Sequence, residues 1–319
     1  MLKYLLLAVG FIFLVKGADY FVEGSSNIAK LLKVPSIIIG LTIVAMGTSL
    51  PEASVSINAA ITGANELAVS NVIGSNIFNL LVVAGLSAVM TPIAVKRSVI
   101  RREFPYSILI TIVLLVMCLD KVLFGQATAY VSRYDGMVLL VLFAVFLAYT
   151  LKDALKARKE FQDFPEDHKP LKSPGVSIIY IVAGMLGIVI GGNLVVSAAT
   201  QIATAFGLSQ TLIGLTIVAI GTSLPELATS VVAARKGESD IAMGNVVGSN
   251  IFNILLVLGA SSAIHPVMVN QESLYDMVFL IVVSIMSYFF IASNRKVNRM
   301  EGIIMAACYV GYMIYIILR

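Results

Sequence analysis

Apolar residues fill this chain in long blocks broken by short polar stretches, without the period-two alternation of a barrel strand. The blocks are long enough for helices of about 20 residues that cross a bilayer. Ten are predicted, near residues 2–31, 35–63, 67–90, 104–122, 134–156, 175–205, 210–235, 240–264, 274–293 and 300–318. Residues 157–174 are charged and carry Pro165, Pro170 and Pro174, so they read as a surface linker. The pattern divides the chain into a first five-helix half at 1–156, the linker, and a second five-helix half at 175–319. The opening block, with Lys3 ahead of an apolar run, has the outline of a signal peptide. No small-residue cleavage pattern comes after it, and the block aligns with the helix that opens the second half, so it reads as a mature helix.

The two halves are copies. Residues 40–50 read GLTIVAMGTSL and residues 214–224 read GLTIVAIGTSL, differing only at Met46 and Ile220. Both continue Pro-Glu, and Gly-Ser-Asn-Ile-Phe-Asn appears at 74–79 and again at 248–253, always at an offset of 174 residues. Five helices per half is an odd number, so the second half enters the membrane from the opposite side. The expected fold is an all-α integral membrane protein of ten transmembrane helices in two inverted five-helix repeats, with a site at the midplane between them.

Composition agrees. Hydrophobic residues make up 59% of the chain and charged residues 13%, against about 25% charged in soluble domains. Mean hydropathy is +0.95. The basic balance comes from lysines and arginines at helix ends and gives no reason to expect nucleic-acid binding. Cys118 and Cys308 lie in apolar runs and suggest neither a disulfide framework nor a metal site. His168 and His265 fall in predicted loops and read as solvated side chains.

The chemistry gathers where each half interrupts its second helix. In Gly47-Thr48-Ser49-Leu50-Pro51-Glu52, Pro51 cannot donate to the carbonyl of Gly47, so the helix should kink or break. A freed carbonyl is tolerated at membrane depth only where it lines a cavity or meets a ligand. Ala45, Thr48, Ser49 and Glu52 share one face at helical spacing. Ala219, Thr222, Ser223 and Glu226 repeat the set, with Gly221 ahead of Pro225. Every candidate ligand is oxygen, which suits calcium or sodium better than a transition metal. A lone Thr-Ser-Leu-Pro run could be a simple kink. An ionised side chain at a helix centre costs about 3 kcal/mol on insertion scales, and two at symmetric places argue for function.

The second motif adds a polar stripe. Asn71, Ser75 and Asn79 are spaced by four, and Asn245, Ser249 and Asn253 repeat them. Ser75, Asn79, Ser249 and Asn253 are expected to face the ions. For Asn71, Asn76, Asn245 and Asn250, packing is as good a reading as coordination, with Gly244 and Gly248 allowing close helix approach. Lys16, Asp19 and Glu23 on the first helix correspond to Ile190, Asn193 and Ser197. A function common to both halves cannot need them, so an internal ion pair or snorkelling toward an interface is expected.

These motifs resemble the alpha repeats of the cation/calcium exchanger superfamily, and the Gly-Thr-Ser-Leu-Pro-Glu form is similar to its sodium/calcium exchanger branch, including prokaryotic members. The resemblance covers nearly the whole chain. It implies a secondary active antiporter exchanging sodium for calcium by alternating access, with electrogenic calcium extrusion. Glu52 and Glu226 would be the central calcium ligands. Thr48, Ser49, Thr222 and Ser223 would supply hydroxyl or carbonyl oxygens, and Ala45 and Ala219 backbone carbonyls for outer sodium sites. Ser75, Asn79, Ser249 and Asn253 would complete the cluster. The first and sixth helices would slide as a bundle across the other eight. Calcium and sodium would be substrates, with no cofactor, and no obligatory protein partner is evident. Potassium-dependent exchangers typically carry aspartate where this chain has Asn253. The proton-coupled branch usually has Gly-Asn before Pro-Glu, so Thr48-Ser49 and Thr222-Ser223 favour sodium.

Orientation is read from basic residues. One side of the predicted topology holds Lys30, Lys33, Lys96, Arg97, Arg101, Arg102, Lys152, Lys156, Arg158, Lys159, Lys169, Lys172, Arg235, Lys236, Arg295, Lys296 and Arg299. The other holds only Lys3, Lys121, Arg133 and Arg319. That bias expects a multi-pass protein of the plasma (inner) membrane with a cytoplasmic linker and both termini outside. Other readings are a proton/calcium antiporter on the same fold and a cation channel. An enzyme is disfavoured: there is no His-Glu-x-x-His pattern and no nucleophile arrangement beside the glutamates.

Overall fold

The long apolar blocks are helices. The computed structural model describes residues 2–63, 66–123, 129–163, 172–207, 216–217 and 219–318. Helix α1 spans Leu2–Leu32, α2 Ser36–Thr48, α3 Leu50–Thr62, α4 Glu66–Met90, α5 Phe104–Leu123 and α6 Arg133–Asp163. In the second half α7 spans Pro174–Ala205, α8 Ala219–Thr222, α9 Leu224–Arg235, α10 Ser239–Ile264, α11 Gln271–Asn294 and α12 Arg299–Leu318. Among the described residues, eight helices are long and apolar enough to cross a bilayer, and α2 with α3 makes a ninth span bent by 50°. The chain is an all-helical, multi-pass membrane protein. The expected seventh helix at 210–235 is described from Ala219 onward, with residues 216–217 before it; the rest of its first part lies outside the described residues.

Two boundaries differ from the sequence reading. Helix α6 continues to Asp163 rather than ending at 156, because its charged run Lys152–Lys159 is built of good helix formers. Residues 164–171 of the expected linker lie outside the described residues. The fourth span begins at Val99, in a wide turn of π-helix at Val99–Glu103 that leads into α5.

The expected break is present. Ser49 sits at φ −84°, ψ 8° and Ser223 at φ −94°, ψ 6°, each outside helical geometry and followed by a proline in the next first turn. Wide π turns mark the same neighbourhood. One occupies Gly40–Val44 just before Ala45, one begins at Asn79 and one begins at Asn253. Such turns often accompany functional sites because they shift the helical register of the residues beyond them.

Helices α4 and α10 form the centre: 78% and 94% of their apolar windows are buried, against 17% for α12. Gly244 and Gly248 let α10 close on α2, since a Cβ at Gly244 would lie 2.9 Å from the Cα of Gly40 and one at Gly248 2.8 Å from the carbonyl oxygen of Leu41. Helices α1 and α7 pack along their lengths. Gly10, Gly17 and Gly24 repeat every seven residues on α1, and Gly184 and Gly191 do so on α7. A Cβ at Gly17 would lie 2.8 Å from the carbonyl oxygen of Gly184, and one at Gly191 2.5 Å from the Leu14 nitrogen. Backbones this close make the two helices one stiff unit.

Two short antiparallel sheets tie the halves together. Strand β1 (Ile93–Ala94), after α4, pairs with β4 (Lys296–Val297), before α12. Strand β2 (Ala129–Val131), after α5, pairs with β3 (Val267–Val269), after α10. Each sheet takes one strand from each half. The sheets lie at opposite ends of α5, a 20-residue helix about 30 Å long.

Candidate ion-binding site

Both motif glutamates are fully buried where the helices break. Glu52 lies in the first turn of α3 and Glu226 in the first turn of α9. The positive ends of these half-helices favour a carboxylate. Among the described residues neither glutamate has an ion-pair partner, and the two carboxylates lie close enough to repel each other.

The halves interlock by reciprocal hydrogen bonds. Ser49 Oγ donates to Glu226 Oε1 at 2.9 Å, and Ser223 Oγ donates to Glu52 Oε1 at 2.9 Å. Asn76 Nδ2 donates to the Asn250 carbonyl at 3.1 Å, and Asn250 Nδ2 returns a bond to the Asn76 carbonyl at 3.3 Å. Asn79 Nδ2 reaches Asn250 Oδ1 at 3.2 Å, and Asn253 Nδ2 reaches Asn76 Oδ1 at 3.0 Å. Asn71 Nδ2 binds Ser56 Oγ at 2.9 Å and the Glu52 carbonyl at 3.3 Å. Asn245 Nδ2 binds Ser230 Oγ at 3.0 Å and the Glu226 carbonyl at 3.4 Å. Asn71, Asn76, Asn245 and Asn250 therefore build the scaffold. Ser56 and Ser230 belong with them and went unnoticed in the sequence, although each lies four residues beyond its glutamate.

The oxygens that the scaffold leaves unused are specific. Twelve buried side-chain oxygens of the described residues lack a hydrogen-bond partner, and eight of them form pairs at the repeat offset. Six of these, Glu52 Oε2, Glu226 Oε2, Ser75 Oγ, Ser249 Oγ, Asn79 Oδ1 and Asn253 Oδ1, belong to the two motifs, with Ser87 Oγ and Ser261 Oγ a further pair and Ser249 also lying against the Glu226 carboxylate. The amide nitrogens of Asn79 and Asn253 are tied to the opposite half, which leaves each side-chain oxygen as the unpaired end. A buried oxygen without a partner costs about 1–3 kcal/mol, more when charged. The six motif oxygens form three pairs at the repeat offset and are free to accept. Among the described residues no three His, Cys, Asp or Glu side chains gather as a metal site, so charge comes from two carboxylates and the remaining oxygens are neutral.

The other expected ligands lie beside the carboxylates. Thr48 Oγ1 donates to Asn245 Oδ1 at 3.0 Å and to the Val44 carbonyl at 3.2 Å. Thr222, with Ser223, lies against the Glu52 carboxylate, as Thr48, with Ser49, lies against that of Glu226. The Ala45 carbonyl accepts from Ser49 N–H at 3.0 Å and from Thr48 Oγ1 at 3.3 Å. Ala219 opens α8, and its side chain lies outside the described residues; Ser223 N–H bonds the Ile220 carbonyl at 3.1 Å. Carbonyls at the C-terminal end of α2 also point toward the break, the end of a half-helix that favours a cation.

Among the described residues, Asp19 and Glu23 of α1 pair away from the site, with lysines outside their own helix. Lys236 Nζ lies 2.5 Å from Asp19 Oδ1 and 3.7 Å from Glu23 Oε2, and Lys172 Nζ lies 3.2 Å from Glu23 Oε1.

Comparison with known proteins fits this geometry. The family model described as sodium/calcium exchanger protein matches residues 2–152 and 176–318. The putative antiporter CaxA of Alkalimonas amylolytica is 39% identical over 311 residues, covering 95% of each chain. The sodium/calcium exchanger MaX1 of Methanosarcina acetivorans is 33% identical, covering 98% of this chain and 97% of the relative. The sodium-calcium exchanger NCX_Mj, solved after soaking with zero Na+ and Ca2+, superimposes with a TM-score of 0.84 at 33% identity over 99% of both chains. This is a family of transporters, not enzymes, and the chain belongs to it: it is a member of the sodium/calcium exchanger protein family.

Proposed function

We propose that this protein exchanges sodium for calcium across the membrane by alternating access. The observation that carries the reading is the set of six buried, unpartnered oxygens contributed equally by the two halves. Calcium takes six to eight hard oxygen ligands. Glu52 and Glu226 neutralise one calcium, and Ser75, Ser249, Asn79 and Asn253 complete its shell. Thr48, Ser49, Thr222 and Ser223, with the carbonyls of Ala45 and Ala219, serve the flanking sodium positions. Ser49 and Ser223 hold one oxygen of each carboxylate and aim the other.

Shared ligands give exchange. Calcium and sodium use the same carboxylates, so they cannot bind together. Empty, two carboxylates that repel each other resist enclosure in a dry core; either full ion set relieves that cost. Three sodium ions per calcium would move one net charge per cycle, contributing about 2.3 kcal/mol per 100 mV and driving calcium out of an inside-negative cell.

The architecture supported is ten helices in two inverted five-helix repeats, 1–156 and 175–319, joined by a linker at 157–174. At the repeat offset β1 falls on β3, and β2 and β4 each stand just before the last helix of their half, so exchanging the halves by element order would turn the β1–β4 pair into the β3–β2 pair. That these pairs lie at opposite ends of α5 supports a two-fold axis in the membrane plane. The basic bias places the linker in the cytoplasm and both termini outside.

The test is calcium uptake into sodium-loaded proteoliposomes. Uptake that requires an outward sodium gradient, and vanishes with choline or potassium inside, supports the proposal. Uptake that ignores sodium but tracks an imposed pH gradient replaces it with proton coupling.

A further inference from the structure

The two halves are alike in sequence around the site but unlike in how they are covered. Val55 and Thr229 occupy the same repeat position, each three residues after its glutamate and so on the same helical face. Val55 is 42% exposed, whereas Thr229 is 0% exposed and its hydroxyl lacks a hydrogen-bond partner. Helix α9 packs along α1 in addition to α10 and α4, a contact that α3 does not match, so the α1–α7 unit is the added cover on that half.

That cover is fastened by charge. Lys236, just past the end of α9, meets Asp19 at 2.5 Å, the Asp19 carbonyl at 3.0 Å and Glu23 at 3.7 Å. Ser26 of α1 donates to Glu238 in the turn beyond α9. Within the α1–α7 unit, Lys172 binds Glu23 at 3.2 Å and Tyr180 at 3.1 Å, and Asn27 binds the Lys172 carbonyl at 2.9 Å. The hydroxyl of Tyr180 and the carboxylate of Glu23 hold the Lys172 ammonium above the usual lysine range, so it stays charged. Glu23, Ser26, Asn27, Lys172, Lys236 and Glu238 line a cavity of about 250 Å³. The opposite side cannot build the same device: the repeat positions of Asp19, Glu23 and Lys236 are Asn193, Ser197 and Thr62.

We infer that Lys236, with Asp19 and Glu23 and assisted by Ser26–Glu238, is a one-sided ion-pair latch that holds the α1–α7 unit over the linker side of the site. It biases the resting protein toward opening on the far side, past Val55. The inference rests on the alternating-access reading. Neither Lys236 nor its partners touch the ion ligands, so the latch sets the balance of the two access states and not the chemistry of binding. Partly exposed pairs are individually weak, which suits a device that must open in every cycle.

The experiment measures cysteine accessibility without calcium or sodium, so sodium coupling does not bear on it. Val55→Cys and Thr229→Cys are made separately in the full chain carrying Cys118→Ala and Cys308→Ala. Each is treated with a membrane-impermeant maleimide in choline buffer, in cells and in inside-out vesicles. With Lys236 intact, Val55→Cys should react from outside and Thr229→Cys should be protected. Lys236→Glu, which sets a carboxylate against Asp19 and Glu23, should raise Thr229→Cys labelling in inside-out vesicles about five-fold or more, with a matching fall at Val55→Cys. Lys236→Arg should leave both rates unchanged. If Lys236→Glu does not accumulate, Asp19→Asn with Glu23→Gln is read in the same way. Unchanged Thr229→Cys labelling in an inserted latch variant overturns the inference. A rise seen only in intact cells supports the latch and overturns the proposed orientation.

Discussion

Asn79 and Asn253 each commit an amide nitrogen to the opposite half and leave the side-chain oxygen without a partner, which the proposed function uses as a ligand. On the proposed reading one side chain serves as both anchor and ligand, and an alanine would lose both ends. Asn79→Ala or Asn253→Ala should weaken calcium binding about ten-fold or more and destabilise the fold by about 1 kcal/mol for the lost bond, checked by calcium titration and thermal unfolding. Ser56 and Ser230 act one step back, by fixing Asn71 and Asn245 against the glutamate carbonyls. Their alanine variants should raise the calcium dissociation constant about ten-fold, the low end of the loss seen for outer-shell partners, while transport remains measurable. At this scale the burial of the two glutamates beside their hydroxyl neighbours could be read from the sequence, because a carboxylate within an apolar run stands out by its cost. That Asn76 and Asn250 would be scaffold was not legible, because their partners lie 171 to 177 residues away in the chain.

Among elements, the break in the second span could be read directly from Pro51 and Pro225, since the missing N–H has a local consequence. The π turns starting at Asn79 and Asn253 could not, as nothing in a local apolar run specifies a wider turn. The α1–α7 unit left a trace that could have been read: glycines at seven-residue spacing on both helices. Gly17→Leu should drive a side chain into the Gly184 and Ile188 backbone and cost about 1–3 kcal/mol of stability, read as a lowered unfolding temperature in detergent. Gly311→Ala is the matched control. No atom lies within 4 Å of a Cβ there, so it should be neutral or stabilising by up to about 1 kcal/mol. The charged run after residue 156 misled the sequence reading because polarity was taken for a helix end, while Lys, Arg and Glu sustain a helix beyond the bilayer.

At the largest scale, the proposed molecule joins two inverted halves, one shared cage and one asymmetric latch. The fold class could be read from hydropathy because a bilayer admits few alternatives. The asymmetry could not, since near-identical repeats predict equal cover over both glutamates, and only the packing of α1 along α9 distinguishes them. The proposed orientation expects a reporter that is fluorescent only in the cytoplasm to stay dark when fused after Arg319, and a bright fusion would reverse the topology. The central claim is that one oxygen cage, completed only by both halves, binds calcium or sodium but never both. Equilibrium binding of radiolabelled calcium to the purified protein tests it most directly. Sodium, but not choline, should displace calcium completely, and either Glu52→Gln or Glu226→Gln alone should lower calcium affinity at least ~100-fold. Calcium binding that persists in saturating sodium, or survives intact in either single variant, would contradict a shared site.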